Sequence, residues 1–132
     1  MDCPEVRSSS TLTGRILAIC AGDKAGHPKR DVGQGQVTAN LGLNGDVEAL
    51  NRRLFLLAEK DFLALKAANP ALTYGASGEN LVVSLDLADL AIGQRLRSGD
   101  ALIELLGPNQ GLILAKVILS GIITVGDQIY LE

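Results

Sequence analysis

At 132 residues, 47% of them hydrophobic, the chain can bury one sizeable core, which bounds it to a globular protein of about one domain. A net charge of −3, only two phenylalanines and two tyrosines, and basic residues scattered apart from Lys29-Arg30 and Arg52-Arg53 give nucleic-acid binding little support. No apolar run approaches the ~18 residues that a membrane-spanning helix needs.

Residues 1–11 are serine-rich and without hydrophobic periodicity. They are expected to form a flexible tail, with 12–132 as one domain. The opening MDCPEVRSSS has no apolar centre of a secretory signal, so a cytoplasmic location is the default expectation. Cys3 falls in the tail. Cys20 closes the run GRILAIC, which suits a buried strand, and reads as a small core residue. The two cysteines form neither a disulfide framework nor a CxxC redox pair.

Next comes AGDKAGHPKRDVGQGQ, a loop of about sixteen residues, long for a compact domain and of a kind that is commonly functional or disordered. QVTANLGLNGD reads as a second strand ending in the turn Asn44-Gly45-Asp46. The apolar run Leu54-Phe55-Leu56-Leu57 leads into AEKDFLALKAAN. There Ala58, Phe62, Leu65 and Ala68 or Asn69 fall near helical spacing, with Glu59, Lys60, Asp61 and Lys66 mostly outside. Pro70 should stop this helix, the one long helix expected.

Beyond YGASGENL the pattern is β. LVVSL is a strand and DLADLAIG a turn-rich connector. Arg95-Leu96-Arg97 alternates into Ser98-Gly99-Asp100, and ALIELLG, LILAKVILSG and ITVGDQIYLE follow. Gly99-Asp100 and Gly126-Asp127 each precede an alternating strand, as hairpin turns with positive φ do. Roughly seven short strands and one main α-helix predict a mainly β fold, a small β-barrel.

Familiar catalytic devices are missing. Gly33-Gln34-Gly35 lacks the third glycine and the strand-to-helix context of a dinucleotide fingerprint, and no P-loop occurs. A single histidine, His27, excludes HExxH and a His-rich zinc set; beside Pro28 it reads as an exposed loop residue. Ser77 in Gly75-Ala76-Ser77-Gly78 fails as a nucleophile elbow, because glycine follows it directly and Glu79 comes next. No catalytic residue and no metal ligand set is assigned. The glycines of YGASGENL permit unusual backbone angles and close approach, while Glu79 and Asn80 concentrate acceptors and donors at a strand edge. That is either a structural turn or a binding loop.

GASGENLVVSLDLADLAIGQRLRSGDALIELLGP resembles the signature region of the MOSC family, the domain named after the C-terminus of molybdenum cofactor sulfurase. The family pattern runs G-x-x-G-E-N-[LI], then D-L-x-x-L-x-I-G, then R-x-x-x-G and a strand ending in G-P. GLNGDVEALNRRLFLLAEKDF upstream and AKVILSGIITVGDQIYLE downstream are similar to its flanking elements, so the resemblance covers about residues 14–132. It implies a β-barrel with few helices. It also implies an association with the molybdenum cofactor or molybdopterin, and sulfur handling alongside a pyridoxal-phosphate-dependent cysteine desulfurase or a molybdoenzyme. Asp46, Arg52, Arg53, Gly78, Glu79 and Asn80 match family positions and are the ligand-binding candidates. An arginine fork can grip a phosphate or carboxylate, backbone N–H groups around Gly78 can cradle an anion, and Glu79 with Asn80 can read a pterin-like ring. The alternative for Glu79 and Asn80 is a satisfied network pinning two loops. For Asp46 a structural turn is the first reading, and for Arg95 and Arg97 a solvated face.

Two departures from the family pattern matter. Family members carry a cysteine just after the G-P, and here the text is Leu106-Gly107-Pro108-Asn109-Gln110-Gly111-Leu112. A persulfide carrier needs a thiolate, which carboxamides cannot replace; Cys20 could replace it only by opening onto the same pocket. The histidine position of G-D-x-H holds Glu48. Three readings therefore stand: a MOSC-type protein that binds the cofactor or a related anion and aids sulfur transfer, a non-catalytic binding module, or an oligomeric interaction protein built on the same barrel.

Overall fold

The computed structural model describes residues 13–88 and 90–132; the expected tail 1–11, with Cys3, lies outside the described residues. In chain order the elements are β1 (Thr13–Ala21), β2 (Arg30–Asp31), β3 (Gln34–Val37), a 3-10 helix (Val47–Asn51), β4 (Leu54–Ala58) and α1 (Glu59–Ala68). Then follow β5 (Leu81–Val83), β6 (Arg95–Ser98), β7 (Ala101–Asn109), β8 (Leu112–Leu119), β9 (Gly121–Thr124) and β10 (Gln128–Leu131).

Seven strands close a mixed barrel in the order β1-β10-β6-β7-β8-β4-β5, with β5 returning to β1. The pairing is antiparallel except between β4 and β5, which α1 connects. A parallel pair needs such a crossover, and the helix supplies it. β4, LFLLA, is buried at every position. One of its faces enters the barrel; on the other, Phe55 and Leu57 pack beneath Phe62 and Leu112. This double burial explains why the strand reads as a continuous apolar run and not as an alternation. The barrel interior is filled by Ile16, Leu56, Leu96, Ile103, Ile129 and their neighbours. The void among them is about 10 Å³, no more than one water could use. A ligand site has to lie on the rim.

The structure revises several local expectations. The second strand ends at Val37: the chain reverses at Asn40, whose φ is 65°, and Leu43 comes back to bridge Val37. β3 pairs with β9 in a separate two-stranded ribbon, so the turn at Gly126-Asp127 passes from ribbon to barrel and does not close a hairpin. The turn at Gly99 does join two paired strands, β6 and β7. Helix α1 stops just before Asn69-Pro70 as expected, yet it buries only Phe62. Leu65, placed on the core face by spacing, is 44% exposed. The helix is anchored instead by Phe62 against Tyr74, ring centroids 4.6 Å apart, and by Lys66 Nζ donating to the carbonyls of Pro70 and Leu72.

Asn80, fully buried just before β5, joins three strands. Its N–H donates to the Phe55 carbonyl (2.8 Å), and its Oδ1 accepts from the Phe55 N–H (2.9 Å). On the other side its carbonyl accepts from the Cys20 N–H (2.6 Å), and its Nδ2 donates to the Cys20 carbonyl (3.0 Å). The carboxamide acts as an extra peptide group that lengthens the β4–β5–β1 ladder by one rung. A carboxylate here would lose the donor to Cys20 and bury a charge against a carbonyl. Asn80→Asp is expected to lower the unfolding free energy by roughly 2–4 kcal/mol in denaturant titration.

Candidate functional site

The glycines of Gly75-Ala76-Ser77-Gly78 let the chain curl around the side chain of Glu79. The Glu79 carboxylate is fully buried; Oε2 accepts from the Gly75 N–H (2.9 Å) and Oε1 from the Ser77 N–H (3.2 Å). Gly75 has φ 90°, and a Cβ there would stand 2.4 Å from the Lys29 carbonyl oxygen. That closeness is needed because the Lys29 N–H donates to the Gly75 carbonyl (3.0 Å), docking the β1–β2 loop against this turn.

A buried ion pair fixes the same loop from behind. Asp46 caps the 3-10 helix: Oδ2 accepts from the Glu48 N–H (3.1 Å) and from Lys29 Nζ (3.1 Å), and Oδ1 accepts from the Gly22 N–H (3.0 Å). The Lys29 ammonium also lies 5.8 Å from the centre of the Phe55 ring, within cation–π range. Lys29 carries no signal in the sequence. A lysine after His27-Pro28 in a polar loop looks like a solvated charge, and its partner becomes visible only once the 3-10 helix folds against the loop.

In front of these anchors lies a cavity of about 480 Å³, open to solvent. Lys24, His27, Glu48, Arg53, Gly78 and Gln110 line it, with Lys29 and Phe55 also on its wall. The sequence candidates divide. Arg53 and Gly78 reach the cavity. Asp46, Glu79 and Asn80 are turned inward, where they hold backbone groups in place. Arg52 has φ 59° at the end of the 3-10 helix, and its exposed side chain is not on the cavity wall. His27 is exposed, as read from its loop position, and stands on the cavity wall. Arg95 and Arg97 pair with Glu104 and Glu132 on the outer surface of the barrel.

The segment after Gly107-Pro108 forms a two-residue hairpin turn. Gln110 and Gly111 have φ 52° and 85°, the left-handed pair that a tight hairpin requires, and Asn109 faces Leu112 across it. Asn109 and Gln110 therefore bring carboxamides to the cavity rim where the family pattern led one to look for a thiol. Cys20 does not substitute. It is fully buried with Ala18 and Val82, against Tyr74, and is not on the cavity wall. Burial first, and then the Glu79 and Asp31 charges, push its thiol up to about 12. Among the described residues no group of three His, Cys, Asp or Glu side chains could hold a metal ion, and no helix is long and apolar enough to cross a membrane.

The MOSC domain family matches residues 44–111, from the Asn44 turn through the Gln110-Gly111 hairpin, more than half of the chain. The chain belongs to this family. Among solved structures it is similar to the YuaD protein from Bacillus subtilis, with 16% identity, 91% of this chain and 96% of that chain covered, and a TM-score of 0.77. It is also similar to YiiM from Geobacillus stearothermophilus (17% identity, 90% and 75% covered, TM-score 0.70) and YiiM from Escherichia coli (21%, 89% and 69%, 0.64). At these identities the likeness is one of fold. No curated protein matches the chain.

The state of Cys20 has a measurable consequence. The folded thiol keeps its proton up to about 12, whereas the unfolded one releases it near the ordinary 9.0. The native state thus holds this proton more tightly. The corresponding stability is complete below the unfolded pKa and is lost as pH rises toward the folded one. Wild-type unfolding free energy should fall more steeply across that window than that of Cys20→Ala. In mildly alkaline buffer, iodoacetamide should leave Cys20 unmodified in the native protein and alkylate it fully in denaturant, as read by peptide mass.

Proposed function

We propose that the protein binds a phosphorylated pterin-like anion of the molybdopterin class in the cavity between the β1–β2 loop and the Gly75–Gly78 turn, and that it acts as a binder, not as a sulfur carrier. The observation that carries this reading is the make-up of the wall: Lys24, His27 and Arg53 face one space with Glu48 as their lining carboxylate, and Cys20 is absent from it. A volume of about 480 Å³ lies within the range of small-molecule sites.

The residues present fit the anionic and heterocyclic parts of such a ligand. Arg53 offers a planar fork to phosphate oxygens, and Lys24 adds a mobile point charge. Glu48 can accept from ring amino groups, and the carboxamides of Asn109 and Gln110 each pair a donor with an acceptor. Among the described residues none fits a sulfur-relay step, because carrying sulfane sulfur requires an accessible thiolate and Cys20 is buried. A bound molybdopterin brings its own metal-binding chemistry; the chain's part is to grip the phosphate, orient the ring and hold the loop that covers one side. A molybdoenzyme that receives or lends the ligand is the partner class that follows.

Titration with pterin-6-ylmethyl phosphate, followed by pterin fluorescence, should show saturable binding that weakens with salt. Arg53→Ala should reduce affinity at least about tenfold, the loss of one charge-assisted contact of roughly 1.4 kcal/mol. Arg52→Ala, one residue away and off the wall, should leave affinity unchanged. No saturation, or equal behaviour of the two arginine variants, sinks the reading.

A further inference from the structure

A second cavity, of about 700 Å³, opens on the other side of the β1–β2 loop. Lys24, His27 and Pro28 line both cavities, so the crest of the loop is their common wall. Beyond that wall the two are built alike. The first has its own arginine and carboxylate in Arg53 and Glu48; the second has Arg30 and Asp23. Each also has carboxamides on its wall, Asn109 and Gln110 on one side, Gln34 and Asn44 on the other.

The loop between them is firm at its roots and bare on top. Gly22 is held by Asp46 Oδ1 and by the Val47 N–H, and Lys29 by Gly75 and Asp46. From Asp23 to Pro28 every residue is exposed. At Gly26, φ 80°, a Cβ would meet nothing within 4 Å beyond the adjacent residues, so the loop stands clear of the rest of the protein there.

We propose that the two cavities form one site for a two-headed ligand: a diphosphate crosses the crest beside Lys24 and His27, and a heterocycle lies on each side. The inference rests on the reading of the first cavity given above and extends it to the class of dinucleotide-like molecules. Any ligand occupying both cavities must pass the shared wall, and the shared side chains there include a cation and an imidazole, which suit a bridging anion. The carboxamides on each wall supply donors and acceptors for the edges of purine- or pterin-type rings; in the second cavity Gln34 offers the full pair, since Asn44 Oδ1 already accepts from Thr38 Oγ1 (2.7 Å). A monophosphate uses one half of this arrangement. Joining two heads makes the second contact intramolecular, so affinity rises without any new group on the protein.

Three probes test this: pterin-6-ylmethyl phosphate, AMP, and the compound in which the same pterin and adenosine are joined through a diphosphate. The joined probe should bind one per chain and at least about tenfold more tightly than pterin phosphate. Arg30→Ala should remove that gain and leave pterin phosphate affinity unchanged, while Lys24→Ala should weaken both. The proposal is overturned if the joined probe is no tighter, if its advantage survives Arg30→Ala, or if the two halves bind at two sites with no benefit from linkage. Failure of pterin phosphate itself to bind brings down the reading of the first cavity, a result distinct from a missing gain.

Discussion

The contact between Lys29 Nζ and Asp46 Oδ2 is what the candidate site rests on. Both charges are withdrawn from water, and such a pair repays its desolvation only when further hydrogen bonds complete the geometry. Here they do: Asp46 also takes the N–H groups of Gly22 and Glu48, and Lys29 lies near the Phe55 ring. The result is a single polar knot tying together the start and end of the β1–β2 loop and the head of the 3-10 helix. From the same lysine, a backbone N–H reaches the Gly75 turn. Without the knot, the loop that walls both cavities would be held only by its backbone contacts to Val47, Gly75 and the β1–β2 ladder.

The most distinctive stretch of the chain, GASGENL, lies behind the cavity wall for the most part. Glu79 and Asn80, its richest polar residues, spend their hydrogen bonds on Gly75, Ser77, Phe55 and Cys20. They shape the wall; Arg53, Lys24, His27 and the Gln110 hairpin provide the face that meets solvent. A polar side chain that is fully satisfied by its own protein has little left to offer a ligand, so the strongest local pattern marks the frame and plainer residues mark the opening.

Much of the barrel was legible in the sequence because strand alternation, glycine turns and the Pro70 stop are local signals. What was not legible depends on distant partners. Asn80 and Cys20 are sixty residues apart in the chain, and nothing in either neighbourhood announces a shared ladder. Leu65 has helical spacing, but the helix lies on the barrel by one aromatic residue, which leaves that leucine half in water. The Val37–Leu43 reversal and the β3–β9 ribbon are likewise choices between pairings that the residues alone leave open. In the site, Arg52 and Arg53 look interchangeable on paper. The left-handed backbone at Arg52 ends the 3-10 helix, and only its neighbour reaches the cavity.

The barrel is closed by its first and last strands, with Thr13 opposite Tyr130. During synthesis on a ribosome, β1 therefore waits for every strand in between to be made before its partner β10 exists. Until then the partly made sheet carries an open seam and a lining of unshielded isoleucine and leucine, the kind of surface that chaperones recognise. The same closure sets the residues at the two ends of the described chain side by side, so a cut in a distant turn and a short splice across that seam would rewire the order of strands without disturbing their neighbours.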